Sequence, residues 1–417
     1  MLRRDDRGLI RDDRGLLDLV VGDDDPLMPN DERTGRAGWI AAAYAAQGFG
    51  YAAVVTALPA FKSRQGLSDA YVSVILLLVC VAAAGGSVLA DRTAARWGSR
   101  YALTGGLVAV GAALALTTFH TPTVLFTAIF IGYGVGLGAV DASLSMQGVL
   151  VQARLGRSVM SRLFAAYTAA AITAALLMSG FAVSGGGAAL AVGAAAVVAA
   201  GVALAGRSFF VPGRTVQPEL THGDHNPGVR HVVLICGAFI FTAFLADSAV
   251  STWSSVYLDD SLAASAAVVP LGYAAYQAAV LVSRLSGDHL VPRFGRVPAA
   301  VGCLLVCAVG CGLVVAVPSI PAAIIGFALT GIGVGILVPL AFTAAGEAAP
   351  GRSDEVIARV NLFNYGGALL GAVLLGALSD PVGLRIAFLI PVIGLLLTLP
   401  VVRALRGLNV TPAPEAT

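Results

Sequence analysis

Charge is what this chain has least of. Only 12% of its 417 residues are Asp, Glu, Lys or Arg, and a single lysine, Lys62, stands against 25 arginines. A soluble domain carries about 25% charged residues and about 45–50% apolar ones, whereas here the hydrophobic share is 57%. No water-soluble fold of this size can bury that much apolar surface, so cytosolic enzymes, disordered proteins and secreted disulfide scaffolds are excluded. Five cysteines with no CxxC pair supply neither a disulfide framework nor a zinc site. The net charge of +2 offers nothing to a polyanion, so no nucleic-acid partner is expected. GxxxxGK[ST], HExxH and GxSxG are all absent, which excludes ATP-driven pumping on this chain and gives no sign of a membrane-embedded hydrolase.

What is present is a series of long apolar runs. Residues 1–36 hold 17 of the 50 charged residues, leaving 33 for the remaining 381. A helix needs roughly 20 apolar residues to cross a bilayer core, and such runs fall near 39–60, 70–90, 101–119, 122–150, 160–182, 187–206, 231–253, 265–285, 298–316, 321–343, 355–377 and 383–403. In hydrocarbon a backbone must satisfy its own hydrogen bonds, so each run is expected to be helical. The spans divide the chain into a disordered tail (1–38), a six-helix bundle (39–206), a linker (207–230) rich in proline and glycine, a second bundle (231–404) and a tail (405–417). With both termini on the cytoplasmic side, 23 of the 26 basic residues lie inside, and only Lys62, Arg64 and Arg385 lie outside. That asymmetry sets the expected topology in a bacterial inner membrane. Trp39 and Trp253 fall at span ends, where interfacial aromatics are expected.

The first tail carries a tandem repeat, RDDRGLI then RDDRGLL, and no signal peptide; Met28 is an alternative start. In the linker, His222-x-x-His225 has the spacing of a metal pair in a segment expected to be mobile. Cys303, Cys307 and Cys311 form one stripe on span nine without charged or histidine partners, so packing rather than metal binding is expected. No cofactor is implied.

Two words recur half a chain apart. Asp91-x4-Arg96-Trp97-Gly98 follows span two and Asp288-x4-Arg293-Phe294-Gly295 follows span eight, 197 positions later. Span four carries Gly132-x-Gly134-x-Gly136 and span ten carries Gly331-x-Gly333-x-Gly335, 199 positions later. Repetition in the same order implies two six-helix halves in parallel orientation, a transporter layout. Within apolar runs such glycines let helices approach closely; they are not a dinucleotide fingerprint.

On these words the chain resembles the major facilitator superfamily. The loop words, Asp91, Arg92, Arg96, Gly98 and Arg100 in one half and Arg284, Gly287, Asp288, Arg293, Gly295 and Arg296 in the other, look like that family's signature between helices two and three and its echo between eight and nine. In the first copy Ser87 stands where the family usually has glycine. Phe244-Leu-Ala-Asp247 through Trp253, Asp141 through Gln147, and Tyr365 through Gly371 look like the fucose-permease-related branch with its YbjJ-like inner-membrane transporters. The resemblance implies an all-α protein of twelve spans in two pseudo-symmetric bundles, a central cavity lined by spans four and seven, and a cytoplasmic latch made by the loop words.

A charge at the bilayer centre costs about 2.5–3.5 kcal/mol on insertion scales, so intramembrane acids are read as functional. Asp141 in span four and Asp247 in span seven are the candidates for coupling or solute binding, and Glu347 is read as loop chemistry. Neutral candidates for the same site are Gln47, Tyr51, Gln147, Tyr276 and Gln277, with Asn361 and Asn364 one turn apart on span eleven. The expectation is a monomeric, proton-coupled secondary transporter taking up a sugar-like or polyol solute. Efflux of a drug-like or metabolite molecule by proton antiport, and a membrane sensor that moves nothing, are the alternatives.

Overall fold

The computed structural model describes residues 30–155, 159–212, 227–348 and 353–407. The tandem repeat of the first tail and the His222/His225 pair lie outside them. Six helices make the first half: α1 (Asn30–Gln65), α2 (Asp69–Trp97), α3 (Ser99–Thr117), α4 (Thr123–Leu155), α5 (Met160–Val183) and α6 (Gly187–Gly206). The second half runs α7 (Pro227–Val256), continued by a π-helical turn (Tyr257–Ser261), then α8 (Val269–Phe294), α9 (Arg296–Ala316), α10 (Ile320–Glu347) and α11 (Ser353–Val382). Its last span is broken into α12 (Leu384–Ala387), α13 (Leu389–Thr398) and a 3-10 run (Leu399–Gly407).

Most helices outrun the expected spans. Residues 30–38, expected in the tail, are helical and prolong the first span, and α8 continues to Phe294 instead of stopping near 285. Eleven of the spans are long and apolar enough to cross a membrane by composition; α8 falls short because it carries Tyr273, Tyr276, Gln277 and Arg284 in its middle. Large apolar side chains such as Val81, Phe119, Val124, Val183, Val197 and Leu397 are exposed on the outside, as a lipid-facing girdle requires.

The break after α2 is made by glycine. Gly98 has φ 102°, and Gly295, at the break after α8, has φ 87°, a region that residues with a Cβ rarely enter. In both, the glycine N–H donates to the carbonyl four residues back, Ala94 or Val291, at 2.9 Å, and the next helix starts at once. These two positions are 197 apart.

The glycine words pack backbone on backbone. A Cβ on Gly134 would meet the Val79 carbonyl oxygen at 2.6 Å, one on Gly136 the Val110 nitrogen at 2.9 Å, and one on Gly138 the Ala83 oxygen at 1.8 Å. In the other half Gly331 meets the Tyr276 oxygen at 2.5 Å, Gly333 meets Cys307, and Gly335 meets the Val280 oxygen at 2.8 Å. Both members of every contact pair are displaced by 197. The structural repeat is therefore Gly134-x-Gly136-x-Gly138 against Gly331-x-Gly333-x-Gly335. The offset of 199 expected from the matching words is corrected to 197, because Gly132 faces open space and takes no part. Cys303, Cys307 and Cys311 are buried in this α9–α10 seam.

Each half has its own apolar core. Leu103, Leu107, Phe126, Phe130 and Val192 centre the first, and Phe239, Leu304, Cys307, Leu337 and Val360 the second. A third cluster mixes the halves: Ala52, Val55, Leu58, Val72, Ala171 and Ala174 pack with Val250, Trp253, Tyr257, Tyr273, Phe327 and Leu375. All of it sits toward the end of the bundle where α1 finishes and α2 begins, here termed the Lys62 end. Trp253, expected at an interface, is fully buried in this cluster and donates from Nε1 to the Ala372 oxygen at 2.8 Å.

The packing orders three substitutions. Gly138→Ala should destabilise by about 1–3 kcal/mol, because a backbone carbonyl cannot move aside as a side chain can. Gly335→Ala should cost less, and Gly105→Ala, where nothing lies within 4 Å, should be neutral. Thermal unfolding of the purified proteins checks the order.

Candidate functional site

Two carboxylates face each other's half across the middle of the bundle. Asp141 on α4 is exposed even though it points inward, and its Oδ1 accepts a hydrogen bond from Gln47 Nε2 of α1. Three residues before Gln47, one helical turn away, Tyr44 donates to the Leu144 carbonyl at 3.1 Å, so α1 is pinned to α4 at the acid and one turn past it. Asp247 on α7 is half-buried and accepts from the Tyr276 hydroxyl of α8. Arg284, two turns beyond Tyr276 on the same helix, lies within electrostatic reach of both Asp247 and Tyr276. Tyr51 of α1 sits beside Thr252 of α7 and within reach of both acids, which makes it the residue that joins the two sites.

Further tyrosines close the cavity. Tyr133, Tyr167 and Tyr273 are coupled to Tyr51 and to one or both carboxylates. Gln277 donates to the Tyr273 hydroxyl at 2.7 Å and keeps its own carbonyl oxygen for another donor. The wall is thus made of hydroxyls, amides and rings, with Asp141, Asp247 and Arg284 as its charged groups.

Of the residues expected from sequence, Gln47, Tyr51, Asp141, Asp247, Tyr276 and Gln277 meet here. Gln147 does not. It is fully buried on the other side of α4, where Nε2 donates to Ser99 Oγ at 2.8 Å and to the Val211 carbonyl at 2.9 Å, and Oε1 accepts from the Val211 N–H. It clamps the segment after α6 and has no group left for a solute. Asn364 donates to Asn361 at 3.3 Å, and neither bonds a carboxylate. Arg284 was expected in a cytoplasmic latch. Because α8 runs on to Phe294, it is instead about 15 Å inside the helix end. Its signal was present in the sequence, as an arginine at i+8 from Tyr276 on one helix face.

The other loop words form no latch among the described residues. Asp91, on the last turns of α2, keeps a buried Oδ1 without a hydrogen-bond partner, and no ion pair joins it to Arg92, Arg96 or Arg100. Arg100 lies over the ring of Tyr101 and bonds its hydroxyl at 2.8 Å, and Arg293 lies over Phe294. A Cβ on Gly287 would make ordinary contact with Ile336 at 3.5 Å, and Arg296 pairs with Glu347 within the second half. Asp288 is placed on α8 by its backbone alone.

The bonds that join the halves gather at the Lys62 end. Lys62 Nζ pairs with Asp69 at 2.5 Å and with Asp260 in the π turn after α7. Ser379 of α11 donates to Asp69 at 2.8 Å, Asp380 accepts from the Ala70 N–H at 3.3 Å, and Ser179 of α5 donates to the Ala267 carbonyl at 2.5 Å. With the mixed apolar cluster beneath them, they shut that end.

Comparisons with known proteins agree with this architecture. The family model described as Major Facilitator Superfamily matches residues 235–417. An uncharacterized MFS-type transporter of Yersinia pestis is 28% identical over 348 residues, covering 82% of this chain and 88% of its own. The membrane protein MosC of Rhizobium meliloti is 29% identical over 182 residues, covering 41% and 43%. Among solved structures, an inward-facing, unoccupied bacterial homologue of the human lysosomal transporter Spinster matches with a TM-score of 0.72 at 12% identity, over 93% of this chain and 100% of that one. The nucleoside transporter NupG gives 0.67 at 11% identity over 89% and 99%. The outward-facing transporter FucP gives 0.60 at 13% identity over 88% and 98%. With two halves repeating at 197 positions, a family-model match over residues 235–417 and a relative matched over 82% of the chain, the chain is similar to the major facilitator superfamily of membrane transporters.

Proposed function

We propose that the protein is a proton-coupled secondary transporter that takes up a sugar-like or polyol solute by alternating access, within the fucose-permease-related branch. The observation that carries this reading is the unequal company of the two acids. Asp141 is held by the neutral amide of Gln47, so adding a proton changes the charge of the site and leaves no buried cation behind. Asp247 already accepts from Tyr276 and has Arg284 in reach, so it sits in a fixed polar group rather than on a single neutral amide. Asp141 is therefore the proton carrier, and Asp247 belongs to solute binding.

Protonation of Asp141 weakens its charge-assisted bond to Gln47. That loosens α1, the helix that also carries Tyr51 toward α7 and Lys62 into the ion network. A proton at Asp141 and a solute between the halves can in this way bias the same rocking motion. The basic residues crowd the end opposite Lys62, so that end faces the cytoplasm by the positive-inside rule, and the conformation described is the inward-open one. The unformed latch around Asp91 and the formed network around Lys62 then follow from one requirement: alternating access closes one end at a time.

Two outcomes are expected. In proteoliposomes, Asp141→Asn should abolish accumulation driven by a proton gradient while solute exchange between the two sides continues. Gradient-driven accumulation that survives in Asp141→Asn would show that the proton travels elsewhere. Lys62→Met should weaken the closed end by about 1 kcal/mol, roughly fivefold in the ratio of the two conformations. The readout is labelling of Ser73→Cys by an impermeant maleimide from outside, in a background whose five native cysteines are replaced. Ser73 is 1% exposed in the closed state, so its labelling should speed up by that factor.

A further inference from the structure

The internal repeat supplies its own control for Arg284. At 197 positions earlier the same place on α2 is Ser87, whose hydroxyl donates to the Gly138 carbonyl at 3.1 Å. The neighbouring contacts repeat faithfully: Gly86 lies against the Val135 carbonyl, and Ser283 donates to the carbonyl of Ile332, its counterpart. The helix pair therefore packs without an arginine at this place, and the cation is an addition to the α8 copy. A cation within a span is costly, so its retention calls for a role that packing does not supply.

Its position indicates the role. Tyr273, Gln277 and Arg284 fall within about 40° of one another around α8, so the guanidinium lies on the same face as the buried Tyr273–Gln277 pair, on the side of Asp247. It is partly exposed, and it makes neither an ion pair with Asp247 nor a hydrogen bond to any described residue. Asp247 is already occupied by Tyr276. A planar fork of five donors is thus left facing the cavity, a geometry suited to a carboxylate. A neutral sugar has no use for it. A phosphate ester carries close to two negative charges and would meet one cation with Asp247 close by, so the single positive charge favours a monoanion.

We propose that the transported solute is a sugar acid, a uronate or aldonate, whose carboxylate docks on Arg284 while its hydroxyls meet Tyr51. This rests on the uptake reading above and narrows its substrate class. Entry of such a monoanion with one proton on Asp141 leaves the charge of the site unchanged.

The test is ligand-induced thermal stabilisation of the purified transporter in detergent. The panel holds glucose, glucitol, glucuronate, gluconate, glucose 6-phosphate and an amphipathic cationic drug. The two acids should raise Tm at concentrations at least about tenfold below those needed for glucose or glucitol, a gap of about 1.4 kcal/mol. Arg284→Gln should remove the response to acids, and Arg284→Lys should keep part of it. If Arg284→Gln does not fold, the wild-type panel decides, together with Arg284→Lys, which keeps the charge and should keep part of the response to acids. Stabilisation by neutral sugars without acids would overturn the inference and leave the uptake reading standing. Stabilisation by the phosphate ester alone would overturn the assignment to a carboxylate. Absence of any response to the acids would overturn the inference, and a response to the drug alone would overturn the uptake reading as well.

Discussion

Backbone contact between helices is the constraint on which the molecule rests. In lipid there is little hydrophobic force to drive one helix against another, so close packing and van der Waals contact must hold the bundle together. Gly134, Gly136 and Gly138 bring α4 onto α2 and α3, and Gly331, Gly333 and Gly335 bring α10 onto α8 and α9 in the same register. That seam puts Asp141, three residues past Gly138, at a defined depth in the first half. In the second half it places Tyr276, whose own carbonyl is the surface against which Gly331 packs. The polar site is positioned largely by backbone contacts that lie outside it.

The chemistry departs from the symmetry that the packing obeys. Across the 197-residue repeat, Asp141 corresponds to Val338, Tyr276 to Val79, Gln277 to Cys80 and Arg284 to Ser87. Every one of these exchanges puts a polar or charged group in one half opposite an apolar or smaller one in the other. Two copies of one scaffold thus hold different halves of a site. The first supplies an acid held by a neutral amide. The second supplies an acid, a phenol and a cation in one neighbourhood.

Closure at the Lys62 end combines two kinds of contact with different consequences. The mixed apolar cluster around Trp253 and Leu375 buries surface without direction and could slide. The ion network fixes register, since Lys62 must meet Asp69 of its own half and Asp260 of the other. Asp260 lies in a π-helical turn, and such turns break the helical hydrogen-bond ladder and often occur at functional sites.

How much of this was legible in the sequence varies with the range of the interaction. Bilayer thickness and the cost of an unsatisfied backbone act on every residue along the chain, so composition alone determined a membrane protein with twelve helical spans in two repeated halves. The cost of a buried charge likewise singled out Asp141 and Asp247. Partners were not legible. That Gln47 reaches Asp141 while Gln147 turns away to hold Val211 depends on which side of α4 meets α1, and no local pattern encodes it. Trp253 looked interfacial because it stood near a predicted span end, but the helix continues past it and the other half covers it. Arg284 looked like a loop charge for the same reason: the end of α8 is decided by the glycine at 295 and by packing on α10, not by where the apolar run fades. Helix existence was determined by the sequence through local physics. The depth of each charge and the group it faces were decided by the tertiary structure, because both depend on contacts between different helices, 29 positions apart for Asp247 and Tyr276 and 94 for Gln47 and Asp141.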